Sequence, residues 1–316
     1  MKNKILLLTL VIIFALTFNI LAQDVLPSGA IQVIVPWSAG GGTDTVTRYI
    51  TRELEERLDH AFAVINATGG GGTVGFSRIA NADPNGKTIG MISSSLLLTQ
   101  YTTNAGIDYT NYTPITQVNF DSAALSVNAD SDFETLEDFI SYAKENSVRI
   151  SNSGPGAIWH LSAAAFAKET NTNIEHIPYE GGNPAAVAVA GGHVDATTVS
   201  VPEVAPLVDS GKLRILAVFS DERHSDFPDV PTLKEKDIDL VLGVWRGIVA
   251  PKGVPTEIID LIDKETREIV NSEAFREFMK NNGYGVVVRD SSEFSDFMKT
   301  QDEALKDLIF ELDLNA

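Results

Sequence analysis

Short apolar runs alternate along the chain with longer segments in which apolar residues recur every three or four positions. Residues 31–35 have the pattern of a strand, and 43–58 that of a helix with Val46, Ile50 and Leu54 on one face. Further strands are predicted at 62–65, 88–92, 125–127, 148–150, 176–177, 196–199, 213–218 and 244–249, and further helices begin near 74, 135, 158 and 184. This alternation predicts an α/β protein whose parallel sheets are covered by helices on both faces.

The C-terminal part of the chain differs, because amphipathic helices predicted at 256–270 and 292–312 follow with no strands of their own. We expect these helices to return and cover the first part of the chain, so that the polypeptide crosses between two lobes near 120–126 and 242–248. The predicted division is a signal segment at 1–22, a first lobe made of 23–122 and 247–316, and a second lobe at 123–246.

The first 22 residues have the pattern of a secretory signal peptide. Lys2 and Lys4 precede a largely apolar run at 5–18, and Ala22 offers a cleavage site. A membrane anchor is the alternative, but this run is shorter than the roughly 20 residues that span a bilayer. We therefore expect a cleaved, periplasmic protein. The chain has no cysteine, which excludes a lipoprotein anchor and disulfides.

Size and charge narrow the class further. A chain of 316 residues is longer than single hydrophobic cores usually support, which favours two domains. The formal net charge is -19, and loss of Lys2 and Lys4 makes it about -21. Because binding to phosphate backbones needs a basic face, we do not expect a nucleic acid partner.

Three glycine-rich loops lie where a strand should give way to a helix, at 36–44, 66–75 and 151–157. Glycine lets consecutive backbone N–H groups point to one side, and the helix that follows adds free N–H donors and a partial positive charge. Such loops can hold an anion without lysine or arginine. Three tight turns are the structural alternative, but three such loops, two with hydroxyl residues and one opposite the others in a second lobe, favour a ligand-binding cleft.

Cofactor and catalytic motifs are weak. Residues 70–75 match G-x-G-x-x-G, but the next predicted strand leads into serines at 93–95 rather than the acid that a dinucleotide site needs. Residues 86–88 resemble the end of a P-loop, but that motif needs another glycine five residues before Gly86. Position 81 is occupied by Asn81 instead. No histidine spacing typical of a metal site and no G-x-S-x-G motif occurs in the sequence. We expect no cofactor, no metal and no catalytic residue.

These loops resemble those of the periplasmic solute receptors of tripartite tricarboxylate transporters. Residues 36–44 are similar to that family's P-aromatic-x-x-G-G-x-T-D signature, and 66–75 to its N-x-x-G-x-G-G-x-x-G loop. Residues 153–156 followed by His160 resemble its second-lobe S-G-x-G loop. Further similar segments are 176–182, 191–195, 211–214, 228–232 and 245–251.

The resemblance implies a two-lobed periplasmic-binding-protein fold of type II, with two crossover segments, that closes on a small carboxylate. Carried to this chain, it implies that the ligand is held by Ser38, Ala39, Gly41, Thr43, Asp44, Thr68, Gly69, Ser93, Ser94, Ser153, Gly156, His160, Tyr179, Gly181 and Ser200. Structural alternatives are a helix-start acid for Asp44, a capping or packing role for His160 and a core position for Tyr179. We favour a structural bridge for Arg246.

The function implied is that of an extracytoplasmic receptor, a monomer, which delivers a carboxylate to membrane transporter subunits without catalysis. One alternative is a sensor subunit that presents its ligand to a signalling receptor. A less favoured alternative is a secreted hydrolase that uses His160 with one of the serines at 93–95. The sequence does not identify the carboxylate.

Overall fold

The computed structural model describes residues 25–314. The predicted signal peptide at 1–22 lies outside these residues. No helix within the described range is long and apolar enough to cross a lipid bilayer.

The described residues contain two five-stranded sheets. The strands are β1 (Ile31–Val35), β2 (Phe62–Asn66), β3 (Thr88–Ser93), β4 (Tyr112–Ser122), β5 (Ala124–Asn128), β6 (Val148–Asn152), β7 (Ile174–Pro178), β8 (Ala196–Thr197), β9 (Leu213–Val218) and β10 (Gly243–Pro251). The first sheet has the order β2-β1-β3-β10-β4, and the second has the order β7-β6-β8-β5-β9. The two-lobed α/β architecture is thereby confirmed.

Helices follow most of the strands and cover the sheets. They are α1 (Gly42–Leu58), α2 (Thr73–Ala80), α3 (Ser95–Thr102), α4 (Leu136–Glu145), α5 (Ile158–Thr170), α6 (Gly182–Ala190), α7 (Val201–Asp209), α8 (Thr256–Asn271), α9 (Glu273–Asn281) and α10 (Ser291–Glu311). Short 3-10 turns occur at Gly70–Gly72, Tyr109–Asn111 and Lys234–Lys236. The sequence pattern does not predict β4, α3, α7 or α9.

One strand in each sheet runs against its neighbours. β10 is antiparallel to β3 and β4, and β5 is antiparallel to β8 and β9, whereas β1, β2 and β3 are parallel, as are β6, β7 and β8. The parallel strands end at the side of the sheet that faces the other lobe. A strand that arrives from the other lobe starts at that side and runs away from it, so it must be antiparallel.

The two passages between the sheets lie side by side. β4 ends at Ser122 and β5 begins at Ala124, and the N–H of Ala123 between them donates to Leu242 O at 2.9 Å, just before β10. β10 begins at Gly243, so residues 243–246, which precede the expected lobe boundary at 247, already pair with β4. Adjacent passages of this kind suit a hinge, since two short segments absorb a rotation of the lobes.

The C-terminal helices pack on the first sheet. Ile258 and Ile262 of α8 share a buried cluster with Ile31 of β1 and Ile50 of α1. In α10, Phe294 is fully buried and meets the Trp245 ring edge-on, with ring centroids 5.4 Å apart. These helices therefore complete the core of the lobe that contains the N-terminal strands.

Candidate ligand-binding site

A small cavity of about 20 Å³ lies between the two sheets. It is lined from both sides by Trp37, Ser38, Gly41, Gly42, Thr43, Ser93, Ser95, Ser153, Ile158, Trp159, Gly182, Glu203, Val244 and Arg246. The cavity thus sits at the carboxyl ends of the parallel strands, where ligands bind in open α/β sheets.

Helix N-termini from both sides converge on this cavity. Gly42, Ile158 and Gly182, which line the cavity, are the first residues of α1, α5 and α6, and Glu203 lies in the first turn of α7. The first N–H groups of a helix have no partner within the helix, and the aligned peptide dipoles place a partial positive charge there. The cavity is therefore suited to an anion.

Charged side chains lie close to the backbone where α1 and α6 begin. A Cβ added to Gly42 would lie 2.5 Å from Nη2 of Arg246, and one added to Gly182 would lie 2.3 Å from Oε1 of Glu203. Side chains at these positions would therefore occupy the space between the helix ends and the charged groups of the cavity. The glycines allow charged groups to approach the backbone closely.

Three serine hydroxyls on the cavity wall have no hydrogen-bond partner within the protein. They are the Oγ atoms of Ser38 in the loop after β1, of Ser93 at the end of β3 and of Ser153 in the loop after β6. Ser93 and Ser153 are 1% and 3% exposed. Because buried polar groups are nearly always hydrogen-bonded, these hydroxyls are available to a polar ligand.

Arg246 is the one basic residue on the cavity wall among the described residues. Its side chain is 1% exposed and donates to Thr43 Oγ1 at 3.1 Å, to Asn119 Oδ1 at 2.7 Å and to Asp121. Burial works to lower the pKa of Arg246, but the neighbouring carboxylates of Asp121 and Glu203 raise it overall. Arg246 is thus the structural bridge expected from the sequence, and it also presents a permanent cation to the cavity.

The cleft is closed around the cavity. Ser38 N donates to Glu180 O at 3.2 Å, and Ile158 N donates to Ser95 Oγ at 3.0 Å, so hydrogen bonds join the two sides directly. A cavity of about 20 Å³ has room for about one water molecule. A carboxylate of several carbons therefore requires the two sides to separate.

Asp44 braces the first two glycine loops rather than lining the cavity. Its carboxylate, 2% exposed as a residue, accepts hydrogen bonds from Gly40 N at 2.9 Å, Arg48 Nε at 2.8 Å and Asn66 Nδ2 at 2.9 Å. Burial alone would raise the pKa of Asp44, but these hydrogen bonds lower it. Asp44 therefore has structural contacts at the start of α1, in agreement with the alternative of a helix-start acid.

Replacing Asp44 with asparagine is expected to lower the free energy of unfolding by about 1–3 kcal/mol at neutral pH, since a charge-assisted network is lost. The folded-state pKa of this carboxyl is lowered, so its contribution is complete above its usual value of 3.8 and is lost as pH falls through the folded-state value. Urea unfolding should show a difference from the parent protein that shrinks on acidification.

Asp132→Asn is the control, because Asp132 is exposed and its removal should change the unfolding free energy little at any pH. A difference between Asp44→Asn and the parent that stays constant down to about pH 3 would contradict the bracing role.

A second pocket of about 200 Å³ adjoins the cavity and shares Trp37 and Ser153 with it. The expected site residues Gly69 and Tyr179 lie on its wall. The structure thus brings Ser38, Gly41, Thr43, Ser93 and Ser153 to the cavity and Gly69 and Tyr179 to the neighbouring pocket. The other expected residues do not line either pocket, namely Ala39, Asp44, Thr68, Ser94, Gly156, His160, Gly181 and Ser200.

His160 is engaged locally. Its Nδ1 accepts a hydrogen bond from Gly156 N at 3.1 Å, and its ring meets that of His176 edge-on with centroids 4.5 Å apart. Burial, with His176 close by, lowers the pKa of His160 to about 4. The imidazole is therefore neutral near neutral pH and does not offer a charge to a carboxylate.

Gly181 and Ser200 stand behind the cavity wall. Gly181 precedes α6, and a Cβ added to it would lie 2.8 Å from Ser38 Oγ across the cleft. Ser200 precedes α7, and its hydroxyl donates to Glu203 Oε2 at 2.8 Å. Gly181 thus allows the two loops to meet, and Ser200 positions Glu203.

Nine cavity residues are missing from the set expected from the sequence. They are Trp37, Gly42, Ser95, Ile158, Trp159, Gly182, Glu203, Val244 and Arg246. A partial signal exists for Glu203, because Ser200 and Glu203 form the S-x-x-E pattern of a helix start. Ser95 belongs to the serine run at 93–95 noted in the sequence, but nothing local in the sequence marks Val244 as a cavity residue.

No group of three or more acidic or histidine side chains within residues 25–314 is placed to hold a metal ion. The polar groups of the cavity wall are backbone amides, hydroxyls, one arginine and one glutamate.

Known proteins resemble the chain over most of its length. A profile described as "Tripartite tricarboxylate transporter family receptor" matches residues 46–314. Protein BugT of Bordetella pertussis is 32% identical over 296 residues, covering 90% of this chain and 91% of BugT.

Two solved structures extend the comparison. A TctC solute binding protein from Polaromonas, described as having no ligand, is 35% identical with a TM-score of 0.66, covering 90% of this chain and 99% of that one. The periplasmic binding protein BugD is 27% identical with a TM-score of 0.87, covering 92% of this chain and 99% of that one. The chain therefore belongs to the tripartite tricarboxylate transporter receptor family.

Proposed function

We propose that this protein binds a small carboxylate in the cleft between its lobes and delivers it to the membrane subunits of a tripartite transporter. The observation that carries the proposal is the convergence of helix N-termini from both sides on one cavity, which also presents Arg246 and unpaired serine hydroxyls. Backbone N–H groups at helix starts are a common means of binding carboxylates and phosphates.

A net charge of -19 does not oppose this assignment. Interactions between exposed charges are screened beyond roughly 8 Å at physiological salt, whereas donors inside a cleft act at contact distance. Each charge-assisted hydrogen bond contributes about 1.5–3 kcal/mol, so a few fixed donors and one arginine suffice to hold a carboxylate.

The proposal includes lobes of 23–122 with 247–316 and of 123–246, which rotate about the two adjacent passages to admit and enclose the ligand. The cavity, too small for a carboxylate of several carbons, supports the need for opening. The Polaromonas protein superposes less well than BugD despite its higher identity. Higher sequence identity together with a lower TM-score is expected when two proteins share a fold but differ in the separation of their lobes.

We further propose that the protein has no catalytic activity. The hydrolase alternative needs a serine hydroxyl bonded to a histidine, but Nδ1 of His160 accepts from Gly156 N instead, and its ring packs on His176. A sensor role would use the same ligand-bound form. The family assignment favours delivery to a transporter, and we propose that the receptor acts as a monomer in the periplasm.

The test is a thermal-shift screen with acetate, succinate, citrate, L-malate and L-aspartate, with the neutral diamide of succinate as the matched control ligand. A ligand at about 100 times its Kd stabilises the folded protein by about 2.7 kcal/mol. For a protein of this size that corresponds to a rise in Tm of roughly 5–10 °C. At least one carboxylate should produce this shift, and the diamide should not.

Two variants connect the shift to the cavity. Ser93→Ala removes an unpaired hydroxyl from the cavity wall, whereas Ser126→Ala removes an equally buried and unpaired hydroxyl from β5, which does not line it. The first should reduce the ligand-induced shift and the second should not. Stabilisation by the diamide as strong as by the carboxylates, or none by any carboxylate, would count against the proposed function.

A further inference from the structure

Glu203 has a place in the cleft that helix capping does not explain. Its Oε2 accepts from Ser200 Oγ at 2.8 Å and from Ser200 N at 3.4 Å, which caps α7. Its Oε1 reaches across the cleft and accepts from Gly42 N, the first residue of α1, at 3.4 Å. One carboxylate thus joins the two lobes.

Within residues 25–314, the two other α-helix capping boxes with an acid at the third position do not behave in this way. Thr135 with Asp138 at α4 and Asp290 with Glu293 at α10 form exposed hydrogen bonds only within their own turn. An acid at the third helical position is therefore sufficient for capping when it stays local. The contact of Glu203 with the opposite lobe is additional.

The surroundings of Glu203 are those expected for a bound anion. The carboxylate lies against the N-termini of α1, α6 and α7, since a Cβ added to Gly41 or Gly182 would lie 3.9 Å or 2.3 Å from Oε1. The guanidinium of Arg246 packs against Gly42 on the same cavity wall. Helix N-termini and an arginine are the groups that would receive a carboxylate ligand.

Glu203 also stands between the cavity and the outside. Glu203 and Gly42 line both the cavity of about 20 Å³ and a neighbouring groove of about 610 Å³, which runs between α7 and the end of α9. A ligand that enters from this groove meets Glu203 before it reaches Arg246.

We propose that Glu203 is a built-in substitute for the ligand's carboxylate, which holds the lobes together when the cleft closes empty and is displaced when a ligand binds. This inference rests on the proposed function, and it adds a residue of the protein that competes with the ligand for the same donors. Glu203 would thus lower the affinity for anionic ligands, because the ligand must separate this carboxylate from its donors and remain close to its charge.

Glu203→Gln tests the inference with little risk to the fold, because glutamine serves equally at the third position of a capping box. By calorimetry with succinate and citrate, the variant should bind at least about tenfold more tightly, since close like charges in a partly buried site repel strongly. Asp209→Asn is the matched control, as it removes the same charge from the end of α7 in the groove and not on the cavity wall. Its affinities should stay near those of the parent.

Small-angle scattering without ligand provides a second measurement that needs no ligand identity. The parent and Asp209→Asn should populate the closed form, and Glu203→Gln should shift to a larger radius of gyration, because a neutral acceptor holds Gly42 N less strongly. If neither succinate nor citrate binds the parent, the proposed function fails for these ligands. The role of Glu203 in holding the lobes together is then tested by the scattering measurement alone.

Equal or weaker binding of both ligands by Glu203→Gln would overturn the inference. Weaker binding would show that Glu203 receives a donor group of the ligand. An unchanged radius of gyration without ligand would overturn it as well.

Discussion

Replacing Gly71 with alanine is expected to weaken carboxylate binding about tenfold to a hundredfold, because the added methyl group obstructs closure of the cleft. A Cβ on Gly71 would lie 2.4 Å from the backbone oxygen of Pro155 in the opposite lobe, and one on Gly154 would lie 3.0 Å from Gly71. Forced contacts of this kind cost about 1–3 kcal/mol, and each 1.4 kcal/mol changes affinity about tenfold. The clash exists only in the closed form, so the contact with Pro155 should not affect the stability of the open protein.

Gly70→Ala is the matched control. Gly70 and Gly71 have similar left-handed backbones, with φ of +57° and +63°, so alanine strains both by about 1–2 kcal/mol. A Cβ on Gly70 meets only the side chain of Thr73, at 3.4 Å. Calorimetry with a ligand from the thermal-shift screen should show a far larger loss for Gly71→Ala, while circular dichroism shows similar Tm values. Equal affinities for the two variants would refute closure through this contact.

Replacing Arg246 with methionine is expected to lower the free energy of unfolding by about 3–5 kcal/mol, since it leaves a buried charge without its partner. The side chains of Arg246 and Asp121 are each 1% exposed. In the variant the carboxylate of Asp121 would keep the hydrogen bond from Gly285 N at 2.8 Å but no cation. Urea denaturation measures the loss directly.

Two further variants identify the cause. Asp121→Asn added to Arg246→Met removes the unpaired charge and should recover a large part of the lost stability. Arg267→Met breaks the pair with Asp263, in which the arginine is 43% exposed, and such pairs contribute about 0–1 kcal/mol. If Arg246→Met were no more destabilising than Arg267→Met, the buried pair of Arg246 and Asp121 would not stabilise the packing of β10 on β4.

Much of the first sheet could be predicted from local pattern. The strand predicted at 31–35 coincides with β1. The helix predicted at 43–58 begins one residue after the observed start of α1 at Gly42 and ends at the same residue. Apolar periodicity suffices for such elements because their apolar residues face the core. The glycine loops between them could be predicted as turns for a similar local reason.

Strand β4 is an element that the local apolar pattern does not predict. It is the longest strand, Tyr112–Ser122, yet Gln117, Asn119 and Asp121 are buried within it and interrupt the apolar pattern. Asn119 and Asp121 are satisfied by Arg246 from β10, which is remote in sequence. A polar residue can occupy the interior when a distant partner satisfies it, and a single strand's sequence does not reveal that partner.

The sequence by itself determined the α/β class, the glycine loops at strand ends and the resemblance to a receptor family, because each depends on neighbouring residues. Only the tertiary structure decided which residues form the cavity. The carboxylate of Asp44, next to a glycine loop, binds that loop, whereas Glu203 of α7 and Arg246 of β10, which belong to different sheets, meet at the start of α1. The physical reason is that a side chain's role depends on which donor, acceptor or charge it meets, and here those partners belong to elements that only folding and closure bring into contact.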